Sequence, residues 1–123
     1  MIDLRKTIQS LIKAIHPRVY FHEAPKSETP YPYIVYDIEI YGLGEGNELV
    51  TLEIDGWDDN KDSLPLETLL ENINNTFKEL SIITDTFAIT FSLDRILPLS
   101  DESDKAVNKR RYVYEGRLLR SDQ

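Results

Sequence analysis

The sequence contains no cysteine, and this absence excludes a disulfide scaffold, a thiolate zinc site and a cysteine nucleophile. It also lacks any stretch approaching the roughly 20 apolar residues that a membrane-spanning helix needs. Charged and polar residues interrupt the apolar residues near its beginning, so we expect neither a signal peptide nor a membrane span. Hydrophobic residues make up 41% and charged residues 29% of the 123 residues, a balance typical of a globular chain. We therefore predict a single domain over residues 1–123, made in a reducing compartment, the cytosol by default.

Acidic residues outnumber basic ones, and the two kinds are distributed unevenly. The formal net charge is −8: residues 1–20 carry +3, residues 21–104 carry −15 and residues 105–123 carry +4. A net acidic protein is a poor candidate for tight nucleic-acid binding, because such binding depends on Lys and Arg neutralising phosphates. The uneven distribution fits contacts between copies of the chain, in which a basic surface meets an acidic one, or ion pairs and solvated charges within one chain.

Apolar residues recur at helical spacing in two segments. The first helix has Asp3 as a candidate N-cap and is expected to stop before His16-Pro17, since the residue before a proline avoids helical geometry. The second follows a polar, acidic loop and has Pro65 in its first turn. The apolar positions are Leu4, Ile8, Leu11, Ile12 and Ile15 in the first helix, and Leu66, Leu69, Leu70, Ile73, Phe77 and Leu80 in the second.

Alternation of apolar and polar residues predicts strands at 33–41, 50–55, 87–94 and 112–119, and a weaker β segment at 19–22. The order is therefore α-β-β-β-α-β-β. This order predicts an α+β fold in which both helices pack on one face of an antiparallel sheet of four to five strands. Segments 23–32 and 99–109 have loop composition, and we expect them to become ordered on assembly.

Three patterns that resemble ligand sites fail on inspection. Asp58, Asn60 and Asp62 have the spacing of the first ligands of an EF-hand loop, but the later glycine and bidentate glutamate are missing. The glycine-rich stretch after residue 41 precedes a strand, which indicates a hairpin turn and not a phosphate loop. His16 and His22 lack further ligands at zinc-site spacing. We therefore predict no catalytic residue, no cofactor and no metal site, and the chain is expected not to be an enzyme.

Large aromatic and basic residues are the best candidates for a contact surface. By alternation, the aromatic residues lie off the face that the helices cover, and exposed aromatics often mark interfaces. The basic run at 109–111 fits either the solvated start of a strand or a patch for single-stranded nucleic acid. We predict a subunit or partner interface that includes Tyr31, Tyr33, Tyr41, Trp57, Lys109, Arg110 and Arg111.

Two short motifs, taken with the order of the elements, resemble a known family. Residues 31–36 read Tyr-Pro-Tyr-Ile-Val-Tyr at the start of a strand, and residues 55–58 read Asp-Gly-Trp-Asp at the end of the hairpin. The chain resembles the tail-completion family of long-tailed bacteriophages, the tail-to-head joining and tail terminator proteins, which also occur in prophages. The resemblance extends over residues 4–119.

The resemblance implies a small α+β virion subunit without catalytic residues that forms a ring, commonly of six, at the top of the tail tube. Such a ring ends tube growth, docks on the head connector proteins and lets DNA pass without specific binding. The implied partners are other copies of the chain, the tail tube protein and the head connector proteins. The implied locations are the virion and, during assembly, the host cytoplasm. The alternatives are a head-side adaptor of the neck and a small cytosolic dimeric regulatory or ligand-binding domain.

Overall fold

The computed structural model describes residues 2–25, 30–44, 47–99 and 108–120. Within these ranges, two helices and six strands follow one another as α-β-β-β-α-β-β-β. They are α1 (Ile2–Lys13), β1 (Val19–Phe21), β2 (Tyr33–Gly44), β3 (Asn47–Asp58), α2 (Leu64–Phe77), β4 (Ser81–Ile83), β5 (Phe87–Leu99) and β6 (Asn108–Arg120). Parts of both expected loops and of the glycine-rich turn, at 26–29, 100–107 and 45–46, lie outside the described residues. Their ordering on assembly stays a prediction.

All six strands belong to one sheet, in the order β1-β2-β3-β6-β5-β4. β1 pairs with β2 in parallel, and the other neighbours are antiparallel. The prediction of an α+β fold with a four- to five-stranded antiparallel sheet is therefore wrong, because the described chain is mostly β and its sheet has six strands and is mixed. β4 was missed because three residues after a helix are too few to show an alternation. β1 is parallel because the long segment after it returns the chain to the same end of the sheet.

Both helices pack on one face of this sheet. The buried apolar residues of α1 and α2 belong to one cluster with strand residues such as Ile34, Ile54 and Tyr114. The residues that alternate with these strand positions, among them Tyr33, Asp55 and Arg111, point to the opposite side. Neither helix covers that side, and we call it the helix-free face.

The ends of the helices differ in part from the expected ones. Asp3 lies in the first turn of α1 and not at its N-cap, where its charge still favours the positive end of the helix. Before α2, the carboxylate of Asp62 accepts a hydrogen bond from the backbone N–H of Leu64 at 3.0 Å, while Ser63 makes no side-chain cap. Asp62 is thus the residue that satisfies a free N–H at the start of α2.

Two tyrosines of β6 connect the sheet to α2. The hydroxyl of Tyr114 donates to Asn74 Oδ1 at 2.8 Å, and that of Tyr112 donates to Glu71 Oε2 at 2.6 Å. Burial raises the pKa of both phenols above the ordinary value. The carboxylate of Glu71 raises the pKa of Tyr112 further, because it favours the protonated donor.

We expect the free energy of unfolding to fall as the pH rises above about 10, the ordinary tyrosine pKa. There the unfolded chain loses phenol protons that the folded protein keeps, so it binds fewer protons and stability decreases with pH. Urea unfolding between pH 8 and 11 measures this slope. Tyr114→Phe removes one such phenol and should make the slope shallower, and an unchanged slope would contradict the assignment.

Candidate functional site

A pocket of about 470 Å³ lies on the helix-free face. Its floor is formed where the start of β2, the end of β3 and the start of β6 run side by side, and residues 22–25 after β1 form one wall. Aromatic rings line one part of the pocket, and charged side chains line the rest. The pocket therefore combines an apolar wall with carboxylates and cations in a small space.

The aromatic wall is a row of rings that crosses the sheet. Tyr33 stacks on Trp57, with centroids 5.9 Å apart and planes at 13°, because the two residues are direct partners in the β2–β3 pairing. Lys109 is the partner of Trp57 on β6 and places its Nζ 3.9 Å from the centroid of a Trp57 ring. Tyr31 and Tyr20 contact Tyr33 at centroid distances of 5.3 and 6.3 Å. Burial and the neighbouring Tyr31 raise the pKa of Tyr33.

The charged part of the pocket is held together by Arg111. Its Nε and Nη2 donate to the two carboxylate oxygens of Asp55 at 2.7 and 2.9 Å, and its Nη1 lies 2.9 Å from Glu53 Oε2. The hydrogen bond to Asp55 is the largest cause of the raised pKa of Arg111, so this guanidinium stays charged. The forked contact fixes both side chains, as a bidentate arginine–carboxylate pair does.

His22 stands at the rim of the pocket. Its Nδ1 lies 3.1 Å from Asp37 Oδ2, and both side chains are exposed. The residue has a φ of 71°, which is the left-handed region that side chains other than glycine rarely adopt. This conformation turns the chain out of β1 and starts the wall formed by residues 22–25.

Four of the seven residues predicted for the interface line this pocket, namely Tyr33, Trp57, Lys109 and Arg111, and a fifth, Tyr31, contacts Tyr33 beside it. The other two lie elsewhere. Arg110 alternates with its neighbours, points to the helix-covered face and places its Nη2 3.7 Å from Glu67 on α2. Tyr41 is on the helix-free face but eight residues along β2, about 26 Å from Tyr33 at the usual rise per residue; its hydroxyl donates to Glu39. The interface role of all seven stays a prediction.

The sequence did not single out the residues that pair with these side chains. Tyr20, Asp37 and Glu53 complete the aromatic row and the charge pairs, and Asp55 was noted only as part of a motif. Asp55 lies directly opposite Arg111 in the β3–β6 pairing. Only knowledge that these two distant strands are neighbours could have revealed the pair.

The polar patterns rejected in the sequence have structural roles. Asp58 and Asn60 accept hydrogen bonds from the backbone two residues further on, which shapes the turn before α2. A ring nitrogen of His16, Nε2, lies 2.8 Å from the carbonyl oxygen of Pro32. Among the described residues, no group of three or more His, Asp or Glu side chains could hold a metal ion. No helix in the same ranges is long and apolar enough to cross a membrane.

Comparison with known proteins gives one kind of match. No protein-family model matches the chain, and no curated protein matches it. Among solved structures, it is similar to a chain of the "Virion of native gene transfer agent (GTA) particle", with a TM-score of 0.71 over 93% of this chain and 92% of that chain. The two chains share a fold. Their sequence identity is 9%, so the likeness lies in the arrangement of the backbone.

Proposed function

We propose that the chain is a non-enzymatic structural protein of a phage or prophage virion. It forms a ring at the head–tail joint, ends the growth of the tail tube and joins the tail to the head. The observation that carries this proposal is the fold shared, over more than nine-tenths of both chains, with a chain of a gene transfer agent virion. Because one fold can host many functions, the proposal also needs support from the surface of this chain.

The pocket on the helix-free face has the composition of a contact surface. Tyrosine, tryptophan and arginine are enriched in the residues that contribute most to protein–protein binding. Here Tyr33, Trp57 and Arg111 are held in fixed positions by ring stacking and by the pair with Asp55. Side chains that are fixed before binding lose little freedom when a partner docks.

The same contacts make the pocket a poor reaction centre. Arg111 neutralises the carboxylates of Asp55 and Glu53, and the raised pKa of Tyr33 keeps its phenol protonated at neutral pH. A general base or nucleophile needs the opposite condition, a group ready to accept a proton or attack. This arrangement supports a binding role without catalysis or cofactor.

Charge supports passage of DNA without specific binding. The net charge is −8, and the three basic residues at 109–111 contact Trp57, Glu67 and the Asp55–Glu53 pair, respectively. Cations already engaged within the chain have little left to offer phosphates. We therefore propose that the partners are further copies of the chain, the tail tube protein and the head connector proteins, in the virion and, during assembly, in the host cytoplasm.

The test uses tail tubes assembled from the tube protein encoded in the same genome. We expect the chain to occupy one tube end in electron micrographs, to stop further tube growth and to allow heads to attach. Trp57→Ala should reduce end binding at least about tenfold, since a central aromatic anchor contributes about 2 kcal/mol or more. Ile83→Ala, which truncates an exposed apolar residue on β4 outside the pocket, is the matched control.

Other results would contradict the proposal or favour one of its alternatives. Tubes that keep growing with the chain in excess would refute it. Binding to heads but not to tubes would identify the head-side adaptor. A stable dimer that binds neither would favour the regulatory or ligand-binding alternative.

A further inference from the structure

Two strands of the sheet leave part of an outer edge unpaired. β1 pairs only with residues 34–36 of β2, and β4 pairs only with residues 88–90 of β5. In the described part of the chain, residues 37–44 of β2 and 92–99 of β5 therefore have no strand on their outer side. A row of unpaired N–H and C=O groups is a template for pairing with another chain.

Hydrogen bonds to the short outer strands show which residues of β2 point outward. The N–H of His22 donates to the carbonyl of Tyr36 at 2.8 Å, so Tyr36 directs its backbone toward the edge. Alternate residues along a strand direct their backbone groups to the same side. Ile38 and Ile40 therefore direct their backbone groups to the open part of β2. The N–H of Ile38 already donates to Asp37 Oδ1 at 3.0 Å, so Ile40 is the residue that offers both N–H and C=O to a partner.

The same reasoning applies to β5. The N–H of Phe91 donates to the carbonyl of Leu80 on the β4 side at 2.8 Å, so the backbone N–H and C=O of Phe91 face the outer edge of β5. A bulge between Leu93 and Arg95 moves the alternation by one residue. After the bulge, the backbone N–H and C=O of Ile96 face the outer edge, whereas Pro98 has no N–H and offers only its carbonyl.

The side chains along the two edges are complementary. Ile40 and Ile96 both point to the helix-covered face, as their partners Val50 and Tyr112 do, and Ile96 is 45% exposed. An antiparallel pair of these two residues would exchange two hydrogen bonds and cover Ile96. On the helix-free face, the same register places exposed Tyr41 opposite Arg95.

Opposite charges support this register. Glu39 lies diagonally across from Arg95, and both side chains are exposed in the free chain, where Arg95 pairs with its neighbour Asp94 and Glu39 accepts a hydrogen bond from Tyr41. Charged pairs across neighbouring strands stabilise a chosen register and disfavour its alternatives.

We infer that β2 of one copy pairs antiparallel with β5 of a second copy, with Ile40 opposite Ile96. This inference rests on the proposed function only for the place where the pairing occurs, a ring on the tail tube. The pairing itself follows from the two open edges. Because the contact joins two different edges, a pair of copies keeps one free β2 edge and one free β5 edge, and association continues from copy to copy.

The offset between copies allows a ring to close. Within one copy, Ile40 is level with Phe91 through Val50 and Gly116. Pairing Ile40 with Ile96, four pairing steps beyond Phe91 because the bulge adds one residue, shifts the next copy by roughly 13 Å along the strand direction. Each copy contributes four strands, β2, β3, β6 and β5, which together are about 19 Å wide. A shift of this size over this width is compensated when the strands are tilted by about 35° to the axis of the ring, and the strands of closed barrels have such tilts. Successive copies can therefore lie in one plane around the axis, as a closed ring requires.

Disulfide cross-linking tests the register, because the natural chain has no cysteine. Glu39→Cys with Leu97→Cys joins two positions on the helix-free face that the register makes direct neighbours, with Cα atoms about 4.5 Å apart. The matched control is Glu39→Cys with Ser92→Cys. Ser92 lies on the same open edge of β5 as Leu97, but it is level with Glu39 within one copy and so is not its neighbour in the inferred register. We expect at least about tenfold more cross-linked oligomer from the first pair, on concentrated free chain or on capped tail tubes.

A second variant removes an edge donor, and because Ile40 is partly buried against the core, circular dichroism first establishes that this variant is folded. Ile40→Pro lacks the outward N–H and should weaken association at least about tenfold, since edge positions tolerate proline in the single chain. Ile83→Pro, on the exposed edge of β4, is the control.

The outcomes separate the pairing from the proposed function. Equal cross-linking of the two cysteine pairs, or none in either sample, would overturn the pairing. Capped tubes on which the variant with Glu39→Cys and Leu97→Cys forms no cross-linked product refute the pairing alone. Cross-linked copies of that variant that fail to cap tubes refute the proposed function alone.

Discussion

Replacing Phe77 with alanine should lower the free energy of unfolding by about 3–5 kcal/mol. Phe77 is fully buried at the end of α2, and its ring contacts Phe91 on β5 and Tyr114 on β6 at centroid distances of 6.4 and 5.8 Å. The truncation leaves a cavity between helix and sheet that the regular strands cannot close. Single domains have only about 5–15 kcal/mol to lose, so the variant should be close to unfolding.

Urea unfolding followed by circular dichroism measures this loss. Asn72→Ala, on the exposed side of the same helix, is the control and should change the free energy by less than about 0.5 kcal/mol. A loss below about 1 kcal/mol for Phe77→Ala would mean that the ring does not join α2 to the sheet as described.

Gly116→Ala should destabilise the chain by about 1–3 kcal/mol, because the added methyl group has no space. A Cβ at Gly116 would lie 2.7 Å from the carbonyl oxygen of Thr90 and 2.9 Å from Ile89 Cγ1. The carbonyl is part of the neighbouring strand β5 and cannot move without disturbing the pairing of β5 with β6.

Two other glycines provide graded controls for this prediction. A Cβ at Gly56 would lie 2.7 Å from Leu66 Cδ1, the end of a flexible side chain that can turn away at smaller cost. A Cβ at Gly42 meets no atom within 4 Å, so Gly42→Ala should be neutral or slightly stabilising. The melting temperature should be lowest for the change at Gly116 and highest for that at Gly42. Equal melting temperatures would show that contact with the backbone is not the cause.

The sequence predicts elements well where a pattern is long and regular. Both helices and the β2–β3 hairpin were predicted because their apolar residues repeat over many positions. The second half of β5 was missed because the bulge between Leu93 and Arg95 interrupts the alternation. The three residues of β4 are too few to form a pattern at all.

The site was less predictable, because its chemistry depends on which strands are neighbours. The aromatic residues and Lys109 were candidates, yet the contact of Lys109 with Trp57 exists only because β6 inserts beside β3. The same insertion brings Arg111 to Asp55. Local patterns do not state strand order, and Arg110 was grouped with this surface although alternation turns it to α2.

The position of β6 has a consequence for how the protein is made. β6 is the last strand in the described chain, yet it lies in the middle of the sheet, between β3 and β5. During synthesis β1–β5 emerge before β6, and until β6 pairs with them the inner edges of β3 and β5 lack their partner. The sheet can close only after residues up to 120 have left the exit tunnel, so a chain interrupted before β6 exposes aggregation-prone edges and is a natural substrate for chaperones.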